Sequence, residues 1–196
     1  MVNFIQNLLP EISSTGSGNS HDLLPMPLNE ESFARVCENL DLTQNLLGRT
    51  ILLENPSYYL TFKDTTIEEA DFLNSLCEKT GCRLLLDLNN IYVNSVNHSF
   101  DPFLYVETIK PEFVKQIHLG GPTQEEGFLF DTHATPVREP VWQLLEFATE
   151  KQIRAPLIVE WDQDIPEFSV LEDEVEKART IVLKKENGNY AEPSFK

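Results

Sequence analysis

Four short apolar runs, each closing on a residue able to bind a metal or a proton, constrain this chain most. "TILLE" closes on Glu54, "CRLLLD" on Asp87, "VKQIH" on His118 and "PLIVE" on Glu160. They recur at intervals of roughly 30 to 40 residues, with helical periodicity between them, as expected of βα units that build a parallel sheet. The runs are apolar throughout rather than alternating, as strands covered on both faces are. An open doubly wound sheet and a (β/α)8 barrel both fit. Ligand-type endings favour the barrel, which gathers site residues from several strand ends at its C-terminal rim. A complete barrel takes about 250 residues and eight strands. This chain has 196 residues and four recognisable strands, so the expected fold is α/β, a TIM-barrel type truncated to about four βα units.

The elements are expected as follows. A helix over Glu30–Leu47 carries the stripe Phe33, Val36, Cys37, Leu40 and Leu47 and stops at Gly48. The first strand is Thr50–Glu54. A helix from Thr66, with Glu69 completing a capping box, ends at Gly81. Strand Arg83–Asp87 leads into a loop, "NNIYVNSVNHSFDP", and Asp101-Pro102 opens a short helix. Strand Val114–Leu119 is followed by a long loop, Gly120 to Pro136, in which "GFLFDTH" reads as a hairpin arm. Helix Pro140–Glu150, strand Leu157–Glu160 and a helix from about Val170 to Lys185 complete the order. Residues 1–20, with the Gly/Ser-rich stretch Ser13–Ser20, are expected to be irregular, residues 21–185 to form the domain, and 186–196 to be a frayed tail.

The net charge of −17 argues against nucleic acid and anionic membrane surfaces, which need a cationic face. No run is long enough to span a bilayer. Cys37, Cys77 and Cys82 are odd in number and lack zinc spacing. They read as reduced thiols, and the expected compartment is the cytoplasm.

In a parallel barrel Glu54, Asp87, His118 and Glu160 converge at one rim. Carboxylates brought that close repel unless protons or cations neutralise them. A mixed histidine and carboxylate set suits iron, manganese or zinc. Asp131 and His133 are two apart and share a face on an extended segment. Asp87 and Asn89 have the same spacing, and Asn89 offers a neutral carbonyl oxygen. His98 and His21 read as surface or locally bonded residues. Asp162 and Asp164 are either outer partners of the ligands or solvated acids. Neither a nucleotide-binding glycine motif nor a serine or cysteine nucleophile beside a base is visible.

These motifs in this order ("HDLLPMPLNEES", "LLENPSYYL", "TGCRLLLDLNNIYVNSVNHSFDP", "VKQIHLGG", "DTHATPV", "PVWQLL", "LIVEWDQDIP") closely resemble the DUF692 (UPF0276) family, the multinuclear non-heme iron-dependent oxidative enzymes, from about His21 to Ala178. The resemblance implies a xylose isomerase-like TIM barrel with two or three iron ions at the rim. It implies use of O2 to modify cysteine residues of ribosomally made precursor peptides, with a small leader-binding partner protein. Glu54 would bridge irons, and Asp87, Asn89, His118, Asp131, His133 and Glu160 would complete the ligands. The first half of the family's barrel, with two further histidines, has no counterpart before His21. "HLGGPT" places Pro122 and Thr123 where a further histidine is frequent. The expectation is an iron oxidoreductase that is incomplete alone. A separate N-terminal half, or self-association through open sheet edges, would complement it. The alternative is a degenerate fragment or a metal-independent interaction module.

Overall fold

The computed structural model describes residues 25–188. The irregular start expected at 1–20, His21, and residues 189–196 of the expected tail lie outside the described residues.

Helix α1, Glu30–Leu47, has the expected bounds. Asn29 caps it: its Oδ1 accepts from Ser32 N at 3.1 Å, and Ser32 Oγ accepts from Asn29 N at 3.1 Å. Gly48 ends it at φ 62°, a left-handed conformation that only glycine adopts without cost. Strand β1 is Leu52–Glu54. Helix α2, Glu69–Thr80, starts three residues past Thr66, and no capping box forms there. The amides of Thr66 and Ile67 donate instead to the Leu28 carbonyl at 2.8 and 3.0 Å. With those amides paired to the chain entering α1, Thr66 does not serve as a cap.

Strand β2 is Arg83–Asp87, and helix α3, Leu88–His98, follows it with no linker. The sequence reading placed a loop here because asparagine competes with helical backbone bonding. In the fold those amides bond to neighbouring loops instead. Asp87 caps α3 by accepting from Asn90 N at 2.8 Å. Helix α4, Pro102–Thr108, opens as expected, with Asp101 Oδ1 accepting from Phe103 N at 2.9 Å. After a 3-10 turn at Pro111–Phe113 come strand β3, Val114–Leu119, and the hairpin β4, Thr123–Glu125, and β5, Phe128–Phe130. Helix α5 is Glu139–Glu150, strand β6 is Leu157–Val159 and helix α6 is Phe168–Gly188.

The four-stranded sheet runs β1-β2-β3-β6, and all its pairs are parallel. Register decides which residues share a face. Glu54 lies opposite Leu85, and Asp87 opposite His118, which lies opposite Ile158. Alternation therefore puts Glu54, Asp87 and His118 on one face, with Leu52, Leu85 and Ile158. Leu53, Leu84, Leu86, Ile117 and Leu119 point the other way, into the buried core with Leu40, Leu76, Val141 and Leu145. Each such burial contributes roughly 1.5–3 kcal/mol. The helix-facing side thus holds the sheet together and leaves the opposite side for a site.

Candidate metal centre

The first rim loop is held by amides. Asn55 directly follows Glu54, and its Oδ1 accepts from Asp87 N at 2.8 Å while its Nδ2 donates to Asp87 O at 2.9 Å. One side chain thereby adds a further rung to the β1–β2 ladder. Helix α3 pins the rest. Asn90 Nδ2 donates to Asn55 O at 3.0 Å, and Asn94 spans Pro56 O and Tyr58 N at 2.9 Å each. Asn97 spans both backbone groups of Leu129 at 2.9 Å each, and His98 meets Tyr58 O at 2.9 Å and stacks on its ring. The sequence reading missed this role of the asparagines. Their spacing at 90, 94 and 97 along one helical face was the available signal. Asn55→Ala is expected to cost about 2–4 kcal/mol, because it orphans two buried backbone groups at the end of β2. Urea unfolding measures this.

The ligand-type atoms of Glu54, Asp87 and His118 lie within 4.8 Å of one another, as do those of Asp87, His133 and Glu160. Asp87 belongs to both groups, and both it and His118 are fully buried. Glu160 Oε2 is 3.1 Å from His118 Nδ1 and 3.5 Å from His133 Nδ1. Asp131 Oδ1 is 2.8 Å from His133 Nε2 and accepts from Asn89 Nδ2 at 2.7 Å. Ser57 Oγ donates to Asp131 Oδ2 at 3.0 Å, and the Asp131 amide donates to Tyr59 Oη at 3.1 Å. All seven residues singled out from the sequence therefore meet in one cluster. His98, expected at the surface or in local bonds, instead bonds to and stacks on Tyr58, remote in sequence, and is not among the clustered ligand-type groups. Asp162 Oδ2 reaches to 3.3 Å from His133 Nδ1, whereas Asp164 is exposed.

Two spacings act differently from the expectation. Asp131 and His133 do not share a face of an extended segment. His133 has φ 48°, so a left-handed turn folds its ring back onto Asp131. Asp87 and Asn89 straddle a strand–helix junction instead of lying on one strand. The loop carrying His133 rests on two glycines. A Cβ on Gly120 would lie 2.4 Å from His133 Cδ2, and one on Gly121 would lie 1.8 Å from Thr135 O. Glu174 of α6 ties down the outer loops, accepting from Val137 N at 2.7 Å and from Trp161 Nε1 at 2.8 Å. Gln116 Nε2 is 2.8 Å from His118 Nε2 and leaves Nδ1 facing the cluster.

Asp87 Oδ2, Asn89 Oδ1, His118 Nδ1 and His133 Nε2 are buried and have no hydrogen-bond partner among the described residues. Buried polar atoms are normally paired, so a set of orphans at one point calls for an occupant. The two histidine nitrogens lie 3.1 and 2.8 Å from carboxylate oxygens without the alignment of a hydrogen bond. Atoms that share an ion at bond lengths of about 2.1 Å sit about 3 Å apart and point at the ion, not at each other. This donor set fits a hard or borderline cation such as iron.

Burial pushes the Asp87 carboxyl well above the usual carboxylate range, and Asp131 adds to it. Burial also raises Glu54, with Glu160 and Asp131 adding and His118 opposing. Although burial opposes it, the neighbouring Asp131, Asp87 and Glu160 carboxylates push His133 up to about 9. His118 holds Glu160 low. In chelator-treated protein the raised groups bind protons more tightly folded than unfolded, so stability falls as pH rises. For Asp87 and Glu54 the loss begins above the ordinary carboxylate range. For His133 the contribution is complete below about 6.5 and is lost as pH passes about 9. Thermal melts of chelated protein are expected to give a lower midpoint at about pH 9 than at about pH 6.

A parallel α/β sheet with histidine and carboxylate side chains gathered at its strand ends, as candidate metal-binding groups, has a fold of the xylose isomerase-like TIM-barrel type. A xylose isomerase domain protein from Alicyclobacillus acidocaldarius matches with a TM-score of 0.53 at 17% identity, covering 84% of this chain and 63% of that one. The chain belongs to the family described as RiPP precursor modification enzyme MbnB/TglH/ChrH, whose model matches residues 12–183. It is similar to a UPF0276 protein of Caulobacter vibrioides, 47% identical over 173 residues, covering 88% of this chain and 62% of that protein. A UPF0276 protein of Acaryochloris marina is 42% identical over 171 residues, covering 86% and 62%. The chain thus spans about three-fifths of the length of these relatives. Among the described residues no helix is long and apolar enough to cross a membrane.

Proposed function

We propose that the chain contributes the rim of a non-heme iron centre that uses O2 to oxidise cysteine in a ribosomally made precursor peptide. The observation that carries this is the set of orphaned ligand atoms on Asp87, Asn89, His118 and His133, gathered in one buried cluster. The family supports the peptide class of substrate. Glu54, Asp87, Asn89, His118, Asp131, His133 and Glu160 would hold the metal. When bound, iron supplies the redox chemistry by which O2 can oxidise a thiolate. The protein's own groups prepare that place. Gln116 orients His118 from behind, Asp162 orients His133, and Ser57 and Asn89 hold Asp131 between them. The apolar inner-face residues Leu52 and Ile158 lie outside the core, which supports a covering wall. We assign that wall, and further ligands, to the part of the relatives' length that this chain does not match. A leader-binding partner protein and the precursor peptide complete the proposed assembly.

Elemental analysis of anaerobically purified protein, alone and co-expressed with the N-terminal part of a relative, tests the reading. Iron should co-purify with the assembled protein and be lost in His118→Ala and His133→Ala. Absence of iron from both preparations would end it.

A further inference from the structure

A second chemically distinctive place lies on the opposite side of β1. A cavity of about 240 Å³ opens among β1, α1, α2 and the loop after Pro56. Met26, Leu28, Leu53, Phe72 and Leu73 make apolar wall, and the half-exposed Leu60 and Phe62 stand at the lip. Among the described residues, Glu69 is the charged side chain in the lining, which includes no Lys, Arg or His. Its Oε2 is buried without a hydrogen-bond partner, and so is the adjoining Tyr105 hydroxyl.

Three features point to an occupant. A carboxylate set in hydrocarbon normally has a cation beside it as well as donors, and here the adjoining Tyr105 hydroxyl is beside Glu69 but no cation stands among the described lining residues. The volume exceeds what one water fills, about 30 Å³, and exceeds an engineered cavity of about 150 Å³ that accepts benzene. Burial, partly offset by Tyr105, pushes the Glu69 carboxyl up to about 7, as a missing counter-charge would leave it.

We infer that this cavity is a binding site for a primary alkylammonium group, with its hydrocarbon stem against the apolar walls and its ammonium on Glu69. Free amines and the side chain of a peptide lysine share that chemistry. The site backs directly onto the metal cluster, because Leu53 lines the cavity while Glu54, next in the strand, faces the other way. Ser57 lines the cavity and also donates to Asp131. An amine held here therefore shares Ser57 with the cluster. The inference stands apart from the iron reading, since the cavity needs no metal.

The test uses the full chain treated with chelator, titrated with n-pentylamine, with Nα-acetyl-lysine methylamide and with 1-pentanol, and followed by calorimetry. At least one of the two amines should bind saturably, and which one does names the source. Glu69→Gln keeps the shape, and its fold is checked by circular dichroism. It should weaken amine binding at least tenfold and leave pentanol unchanged. Leu60→Lys, a change at an exposed position, should weaken the amine by placing a second ammonium at the lip. No saturable binding by either amine, or binding that Glu69→Gln leaves unchanged, overturns the inference. Because metal is absent throughout, neither result bears on the iron centre.

Discussion

Asp87→Asn is expected to abolish metal retention while leaving the metal-free protein as stable as before, or more so. Asp87 is the residue common to both ligand groups, and its Oδ2 is one of the orphaned atoms. Loss of a partner that merely orients a ligand lowers metal affinity about 10–100-fold, and loss of a shared ligand should exceed that. The opposite effect on the metal-free chain follows from charge. Burial and Asp131 hold the Asp87 carboxyl well above its usual range, so its ionised form is a liability at neutral pH without a cation. Asparagine keeps the cap on α3, since Oδ1 still accepts from Asn90 N. Elemental analysis and chelated thermal melts, run on the same preparations, read the two effects. Lower stability in the chelated variant would show that Asp87 holds the fold through something other than the cap.

Gly121→Ala is expected to produce the largest loss of folding stability, about 3 kcal/mol or more. The added Cβ would lie 1.8 Å from Thr135 O and 2.6 Å from Pro136 O, and backbone cannot rotate aside as a side chain can. The loop over residues 131–136 has to lift, and the hydrogen bond from Ala134 N to Gly121 O, at 3.2 Å, goes with it. Gly120→Ala is the informative contrast. Its Cβ meets the His133 ring, so this variant should fold with His133 displaced and retain less metal. Urea unfolding and metal content of the pair separate a loop that supports the fold from one that supports the site.

Much of the fold was legible because its cause is local. Apolar runs bounded by Gly48, Gly81 and the Asp101-Pro102 pair mark strands and helices through backbone conformations that neighbouring residues determine. The helix read as a loop, α3, is rich in asparagine, and its helical state depends on groups remote in sequence, namely the loop at 55–58 and strand β5 at Leu129. The Thr66 cap failed for a similar reason, since Leu28 satisfies its amides. In the site, residue types at strand ends were enough to gather Glu54, Asp87, His118 and Glu160. Asn55, Gln116 and Glu174 went unnoticed. Each acts by bonding to a partner that chain order does not bring near, except Gln116, whose place two residues before His118 on one strand was available to be read.

The sequence by itself determined that apolar strands would end in ligand-type residues and alternate with helices. Residue type and periodicity carry that information, because burial and strand alternation act over a few residues. Only the tertiary structure decided which side-chain atoms are left without partners. That depends on the β2–β3 register, which sets Asp87 beside His118, and on the Gly120-Gly121 floor, which lets a left-handed turn bring His133 to Asp131. Such pairings are long-range, and hydrogen-bond satisfaction becomes countable only once every neighbour has its place in space.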